Sequence, residues 1–375
     1  MNKNIIALIM ITVFLVGCTP TGKIVREAPK EPIEIGVITP LTSKGSYWGL
    51  QVRDGLNMAM QEINNKGGVN DRKIKLIYED TQCDPKISAT ATHKLINVDG
   101  VKILIGEVCS TATLAAAPIA EQNKVIFFVP ISSSSEITQA GDYVFRNRES
   151  SAFSGELLAE FVHDELGIKE VSVLYINSET GISYGDAFKE RLEQLGGEIL
   201  TDEGYEKREK NFRTSLLKIK KAEPEALYIP GFYEDIGLII KQTNELGIDI
   251  QFLSTSAFQA DEIFEIAGDS VEGTIYTYPY FDAQSPDSKI KDFVNNYKER
   301  YGEEPEFSAA SSYDALYILT LTMDKCDEDT DCVKNELYNL KEYPGVTGTT
   351  SFDENGDVIK PIAIKTVRNG EFVLY

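Results

Sequence analysis

Gly181-Ile182-Ser183-Tyr184-Gly185 has the spacing of a nucleophile elbow, in which a strained strand-to-helix turn presents a serine hydroxyl to a histidine base. That chemistry needs a histidine downstream of the serine, and both of the chain's 2 histidines, His93 and His163, precede it. The segment from Asn177 also reads as a loop too long for so sharp a turn. Asp353-Glu354-Asn355-Gly356-Asp357 opens like a calcium loop, but Val358 and Ile364 occupy the positions where glycine and glutamate are required, so it reads as a turn. Neither Cys83 with Cys109 nor Cys326 with Cys332 has zinc-ligand spacing. No phosphate loop or dinucleotide glycine motif falls at a strand–helix junction. The residues predict a protein that is not an enzyme and uses no metal and no cofactor.

What remains is hydroxyls and aromatics suited to holding a small molecule. In Cys109-Ser110-Thr111-Ala112-Thr113, Ser110 follows a predicted strand and opens a predicted helix. It either caps its own helix or, with the free amides there, receives a carboxylate. Ile131-Ser132-Ser133-Ser134-Ser135-Glu136 follows another apolar strand, which places some of its serines over a cleft. Trp48, the only tryptophan, is expected in the first strand–helix connection, where an apolar ligand could stack on it, and Tyr184 in the matching connection further along.

The elements that must position these residues alternate with little interruption. Ile33–Ile38 reads as a strand, and Val52, Leu56, Ala59, Met60 and Ile63 share one face of a helix ending at Gly67-Gly68. Strand, helix and strand recur through Val125–Val129, and a second series of similar length runs from after Arg148 to Leu253. Near-continuous apolar strands between amphipathic helices imply parallel sheets covered on both faces. The predicted fold is therefore α/β, two doubly wound parallel-sheet lobes, with ligands at the carboxyl ends of the strands. Helices near Ile290–Tyr301 and Ser311–Met323 are expected to return to the first lobe, and Val358–Tyr375 to supply closing strands. The expected boundaries are a signal peptide at 1–17, a tether at 18–32, lobe 1 at 33–149 plus 281–355, and lobe 2 at 150–280 plus 356–375.

Composition restricts the setting. Hydrophobic residues make up 42% of the chain, ample for packed cores, and the net charge of -22 repels nucleic acid and favours a solvated, monomeric surface. Lys3 precedes an apolar run from Ile5 to Val16, too short to cross a bilayer. The run closes on Leu15-Val16-Gly17-Cys18, the layout of a secretory signal and similar to a lipobox, in which the cysteine carries a lipid. The mature protein is thus expected outside the cytoplasm, tethered to a membrane through Cys18. Removing Cys18 from 5 cysteines leaves four that can pair in an oxidising space. Cys326 and Cys332 are close enough to staple a local acidic loop, and Cys83 would then pair with Cys109, closing a loop of about 25 residues for about 3 kcal/mol.

Several stretches together resemble the type I periplasmic solute-binding family, in particular the leucine/isoleucine/valine-binding proteins of ABC importers. They are Gln61-Glu62-Ile63-Asn64-Asn65-Lys66-Gly67-Gly68, Glu79-Asp80-Thr81-Gln82-Cys83-Asp84-Pro85-Lys86, Ile105-Gly106-Glu107-Val108-Cys109-Ser110, Ser135-Glu136-Ile137-Thr138 and Phe352-Asp353-Glu354-Asn355-Gly356-Asp357. The resemblance implies a three-strand hinge, a cleft closing on a small ligand such as an amino acid, an ABC permease as partner, and the Cys83–Cys109 bridge. By position it implies that Ser110 and Ser133, beside Ser132, hold a ligand's carboxylate and ammonium, with the Ile131 carbonyl assisting. Tyr184 resembles the aromatic closing from the second lobe, Phe232 stands where relatives carry tyrosine, and Trp48 matches the first-loop aromatic. Ser256 falls where amino-acid binders place an acid against the ammonium. Either Glu234 or Asp235 compensates, or the ligand lacks an ammonium, as a carboxylate or amide would.

Overall fold

The computed structural model describes residues 30–375 apart from Lys44. The signal segment, Cys18 and most of the tether lie outside the described residues. The first series runs β1 (Ile33–Thr39), α1 (Ser46–Asn65), β2 (Ile74–Asp80), α2 (Pro85–Asn97), β3 (Ile103–Gly106), α3 (Ser110–Gln122), β4 (Ile126–Val129) and β5 (Val144–Arg146). Its strands form a parallel sheet in the order β2-β1-β3-β4-β5. Burial on both faces explains the nearly unbroken apolar strands. In β3, Ile103 and Ile105 join one core and Leu104 the opposite one.

The second series is α4 (Ser151–Asp164), β6 (Glu170–Ile176), α5 (Glu179–Gln194), β7 (Glu198–Tyr205), α6 (Arg213–Ala222), β8 (Ala226–Ile229), α7 (Tyr233–Glu245), β9 (Gln251–Ser254), α8 (Glu262–Ala267) and β10 (Ile275–Pro279). The chain then forms α9 (Ser288–Tyr301), α10 (Phe307–Cys326), α11 (Thr330–Tyr338), the hairpin β11 (Tyr343–Gly345) and β12 (Gly348–Thr350), and finally β13 (Ile362–Arg368) and β14 (Glu371–Leu374). The second sheet has the order β14-β13-β10-β9-β8-β6-β7, and only β13 and β14 run antiparallel to their neighbours.

The helices α9 and α10 return to the first sheet's side. Tyr301 Oη donates to the Asp54 carbonyl of α1 at 2.9 Å, and Tyr313 and Tyr317 both donate to Glu62 Oε2 at 2.7 Å. Gly55 allows α1 and α10 to touch, because a Cβ there would lie 2.2 Å from the Ala309 carbonyl oxygen. The neighbour is backbone, so the helices themselves would have to separate. Gly55→Ala should therefore cost about 1–3 kcal/mol by overpacking. An unchanged denaturation midpoint would show that this contact does not hold the two helices together.

Among the described residues three chain segments connect the sheets: β5 to α4, β10 to α9, and β12 to β13. Two of them are tied to each other. Lys360 Nζ donates to Asn147 Oδ1 at 2.9 Å and to Thr347 Oγ1 at 2.7 Å, and Asn147 Nδ2 donates to Ser311 Oγ at 3.1 Å. Lys360 is buried, which lowers its pKa. Disulfides join Cys83 to Cys109 and Cys326 to Cys332.

The candidate ligand-binding cleft

The carboxyl ends of the strands in both sheets converge on a cleft of about 600 Å³. From the first sheet come Ser110 at the start of α3 and Ile131 and Ser133 after β4; from the second come Tyr184, Phe232, Thr255 and Ser256. In parallel wound sheets this is where helix amides and loop side chains gather, since every strand ends on the same side. Trp48 and Tyr233 meet edge-on at 6.0 Å across the two lobes.

Several expected positions are refined. Ser110 is the first helical residue, not the cap: Cys109 takes the extended cap conformation and makes no side-chain cap bond. Ser110 Oγ instead accepts the Ser134 N–H at 3.1 Å, which leaves its own O–H as a donor for the cleft. Ser132 does not line the cleft. Its hydroxyl donates to the Glu107 carbonyl at 2.9 Å and pairs with Thr113 Oγ1 at 2.5 Å, because alternate residues of the serine run turn to opposite sides. Trp48 and Tyr184 sit within α1 and α5, not in the connections before them. Ile131, Ser133, Tyr184, Phe232 and Ser256 all line the cleft. Glu234 and Asp235 stand in the first turn of α7, outside the cleft lining.

The long loop expected from Asn177 is also corrected. The connection before α5 is short, and Gly181–Gly185 lies wholly within that helix. Ser183 Oγ bonds Ser151 Oγ at 2.6 Å and Ser135 Oγ at 2.8 Å, a link from second lobe to first. The Asp353 turn has a structural task as well. Asp353 Oδ1 accepts the Asn355 and Asp357 N–H groups at 2.8 and 2.9 Å, which presents the Asp357 carboxylate to Arg146. Arg146 is 1% exposed; its Nε meets Asp357 Oδ1 at 2.8 Å and its Nη2 meets Oδ2 at 2.5 Å. Its Nη1 donates to the Ser133 and Ser134 carbonyls at 3.2 and 2.7 Å, so this ion pair holds the serine loop in place. No cluster of metal-ligating side chains occurs among the described residues.

Sequence reasoning missed Arg148, which lines the cleft. Its Nη1 donates to the Ile131 carbonyl at 2.8 Å, and its Nη2 to Tyr184 Oη at 3.4 Å and, very closely, to Ser256 Oγ. A signal existed. Arg146 and Arg148 bracket Asn147 at a strand end, and the hinge turns one guanidinium into the lobe and the other into the cleft. Next to it, Glu149 is buried, and burial raises its pKa to about 7 against the weaker pull of Lys360 and Arg148.

A cleft between two wound lobes, lined by hydroxyls and aromatics from both, is the arrangement of a protein that closes on a small molecule. The chain belongs to the periplasmic binding protein family, whose model matches residues 32–371. This is a family of solute-binding proteins rather than enzymes, and its members work outside the cytoplasm. The chain is 28% identical to the leucine-, isoleucine-, valine-, threonine-, and alanine-binding protein of Pseudomonas aeruginosa, over 92% of this chain and 90% of that one. It is also similar to the crystal structure of a leucine-binding protein from Thermotoga maritima, at 31% identity and a TM-score of 0.85, covering 92% of this chain and 97% of that one. A solute-binding protein of an ABC transporter from Rhodopseudomonas palustris, solved with 3,4-dihydroxy benzoic acid, matches at 27% identity and a TM-score of 0.80, covering 91% and 95%. No helix among the described residues is long and apolar enough to cross a membrane.

Proposed function

We propose that this chain is the lipid-anchored solute-binding component of an ABC importer, capturing a small carboxylate-bearing molecule in its interlobe cleft. The names of its relatives put amino acids, branched-chain ones foremost, among the first ligands to test. Each ligand in those names bears a carboxylate. The observation that carries the reading is the convergence of Ser110 and Ser133 from the first lobe with Tyr184 and Ser256 from the second on one cleft. A ligand touching both sets favours closure by its differential affinity for the closed form. An ABC permease would then read the closed surface, with Cys18 holding the protein near it. Domain boundaries at 33–149 plus 281–355 and 150–280 plus 356–375 fit this division of labour.

The test is a thermal-shift screen of the purified protein against the proteinogenic amino acids and a set of small carboxylic acids. Ligand at about 100 times its Kd stabilises the folded state by about 2.7 kcal/mol. A rise in melting temperature with at least one of them is expected, and no rise with either class overturns the reading. Ser110→Ala should then weaken the best ligand about tenfold, the scale of one well-placed hydrogen bond, while circular dichroism stays unchanged. Undiminished affinity would remove Ser110 from the site.

A further inference from the structure

The cleft contains an inbuilt cation whose hydrogen-bond partners among the described residues are neutral. Among the described residues four charged ones line the cleft: Glu206 and Lys207 are exposed, Glu179 is half-buried at the start of α5, and Arg148 stands where the lobes meet. Among the described residues, the hydrogen bonds of Arg148 go to a backbone carbonyl, a serine hydroxyl and a tyrosine hydroxyl. None of these carries a charge; the neighbouring Glu149 carboxyl feels the pull of Arg148 but makes no hydrogen bond to it. Of the five N–H donors on a guanidinium, these three bonds leave donors for a ligand.

Which oxygens Arg148 engages matters more than its presence. Ile131 O belongs to the first lobe and Ser256 Oγ to the second, and both are acceptors at the cleft. A ligand ammonium would need acceptors of that kind. They are already taken by a cation that is part of the chain, and a second cation at the same place would be repelled at short range. Arg148 reaches both lobes at once, so an anion bound against it would interact chiefly with the closed form.

We propose that Arg148 sets the charge of the ligand: the cleft takes a small carboxylate lacking an α-ammonium group in preference to the zwitterionic amino acid. The carboxylate faces Arg148 together with the Ser110 and Ser133 hydroxyls, and an aliphatic or aromatic body lies against Trp48 and Phe232. The inference rests on the reading of the chain as a binder of small carboxylates.

The test is isothermal titration of the purified protein with matched pairs that differ by the amine: leucine and isocaproate, phenylalanine and hydrocinnamate. The expected result is that the amine-free member of at least one pair binds about tenfold or more tightly than its amino acid. Arg148→Gln should lower that affinity by about 10- to 100-fold, the range of a charge-assisted hydrogen bond, and shift the ratio towards the amino acid because Ile131 O and Ser256 Oγ are released. Arg148→Lys should retain the preference. If Arg148→Gln does not fold, Ser256→Glu, which neutralises the guanidinium in place, should produce the same loss. Amino acids binding as tightly as their partners, or a ratio unmoved by these variants, overturns the inference while leaving the carboxylate-binding reading intact. No heat with any member of either pair overturns the inference, and the carboxylate-binding reading falls with it only if the wider thermal-shift screen is silent too.

Discussion

Asp357→Ala should be among the most destabilising single changes in the chain, costing about 3 kcal/mol. The substitution leaves the Arg146 guanidinium, 1% exposed, without its counter-charge. Breaking a buried pair by removing one partner costs about 3–5 kcal/mol, and the lower end applies because the Asp357 side chain keeps 17% exposure. The change should also reach the cleft. Arg146 holds the Ser133 and Ser134 carbonyls, so once it loses Asp357 the serine loop is free to shift and ligand affinity falls along with stability. Denaturant unfolding and ligand titration on the same preparation measure both effects. The control is Arg146→Met with Asp357→Leu, which removes both charges and should recover part of the stability but not the affinity. Stability lost with affinity intact would mean that the pair only braces the hinge.

A second large effect concerns pH. Burial raises the carboxyls of Glu107, Glu149 and Glu306 from about 4.5 to about 7. The folded state therefore binds more protons than the unfolded chain between those values. Stability from these groups is fully present below about pH 4.5 and is lost as pH rises through about 7, the opposite of ordinary acid denaturation. Each shift corresponds to about 3 kcal/mol at high pH, and a single fully buried group is enough to move a melting temperature by several degrees. The melting temperature should thus fall by about 5–10 °C from about pH 5 to about pH 8. Self-repulsion of so acidic a chain would push in the same direction, so a variant must separate the two. Glu149→Gln removes one buried carboxyl and barely alters the net charge; it should flatten the decline and raise the melting temperature at the alkaline end. An equal slope in the variant would show that Glu149 contributes nothing to the decline, and an equal slope in the matching Glu107→Gln and Glu306→Gln variants as well would assign it to general repulsion.

The architecture was legible because parallel wound sheets write themselves into hydrophobic periodicity: strands buried on both faces give apolar runs such as Ile126–Val129, and helices covering them give stripes such as Val52, Leu56, Ala59 and Ile63. Cleft-lining residues after the first sheet's strands were legible for the same reason, since the topology sends Ser110, Ile131 and Ser133 to one edge, whereas Ser256 was singled out only by the family resemblance. Side-chain direction within a loop was not. Ser132 and Ser133 are neighbours of one type, and only the packing of Thr113 and the Glu107 carbonyl turns the first away from the cleft. Arg148 was harder still. A cation at a domain crossing looks like surface charge until the second lobe brings Ser256 and Tyr184 to it from far along the sequence. The extent of α5 was hidden too, because Ser178 caps a helix beginning at the next residue, where Gly181 and Gly185 suggested a loop.

Trp48 meets Tyr233 edge-on at 6.0 Å, one ring from each half of the molecule. The chain has a single tryptophan. Nature has in effect built an optical gauge into the jaw: indole emission excited in the unlabelled protein originates from one place, and that place is the seam between the two halves. A ligand that changed how the halves meet there would be followed in real time without a dye or a tag, and its rates of capture and release would come from the same sample that yields the equilibrium constant.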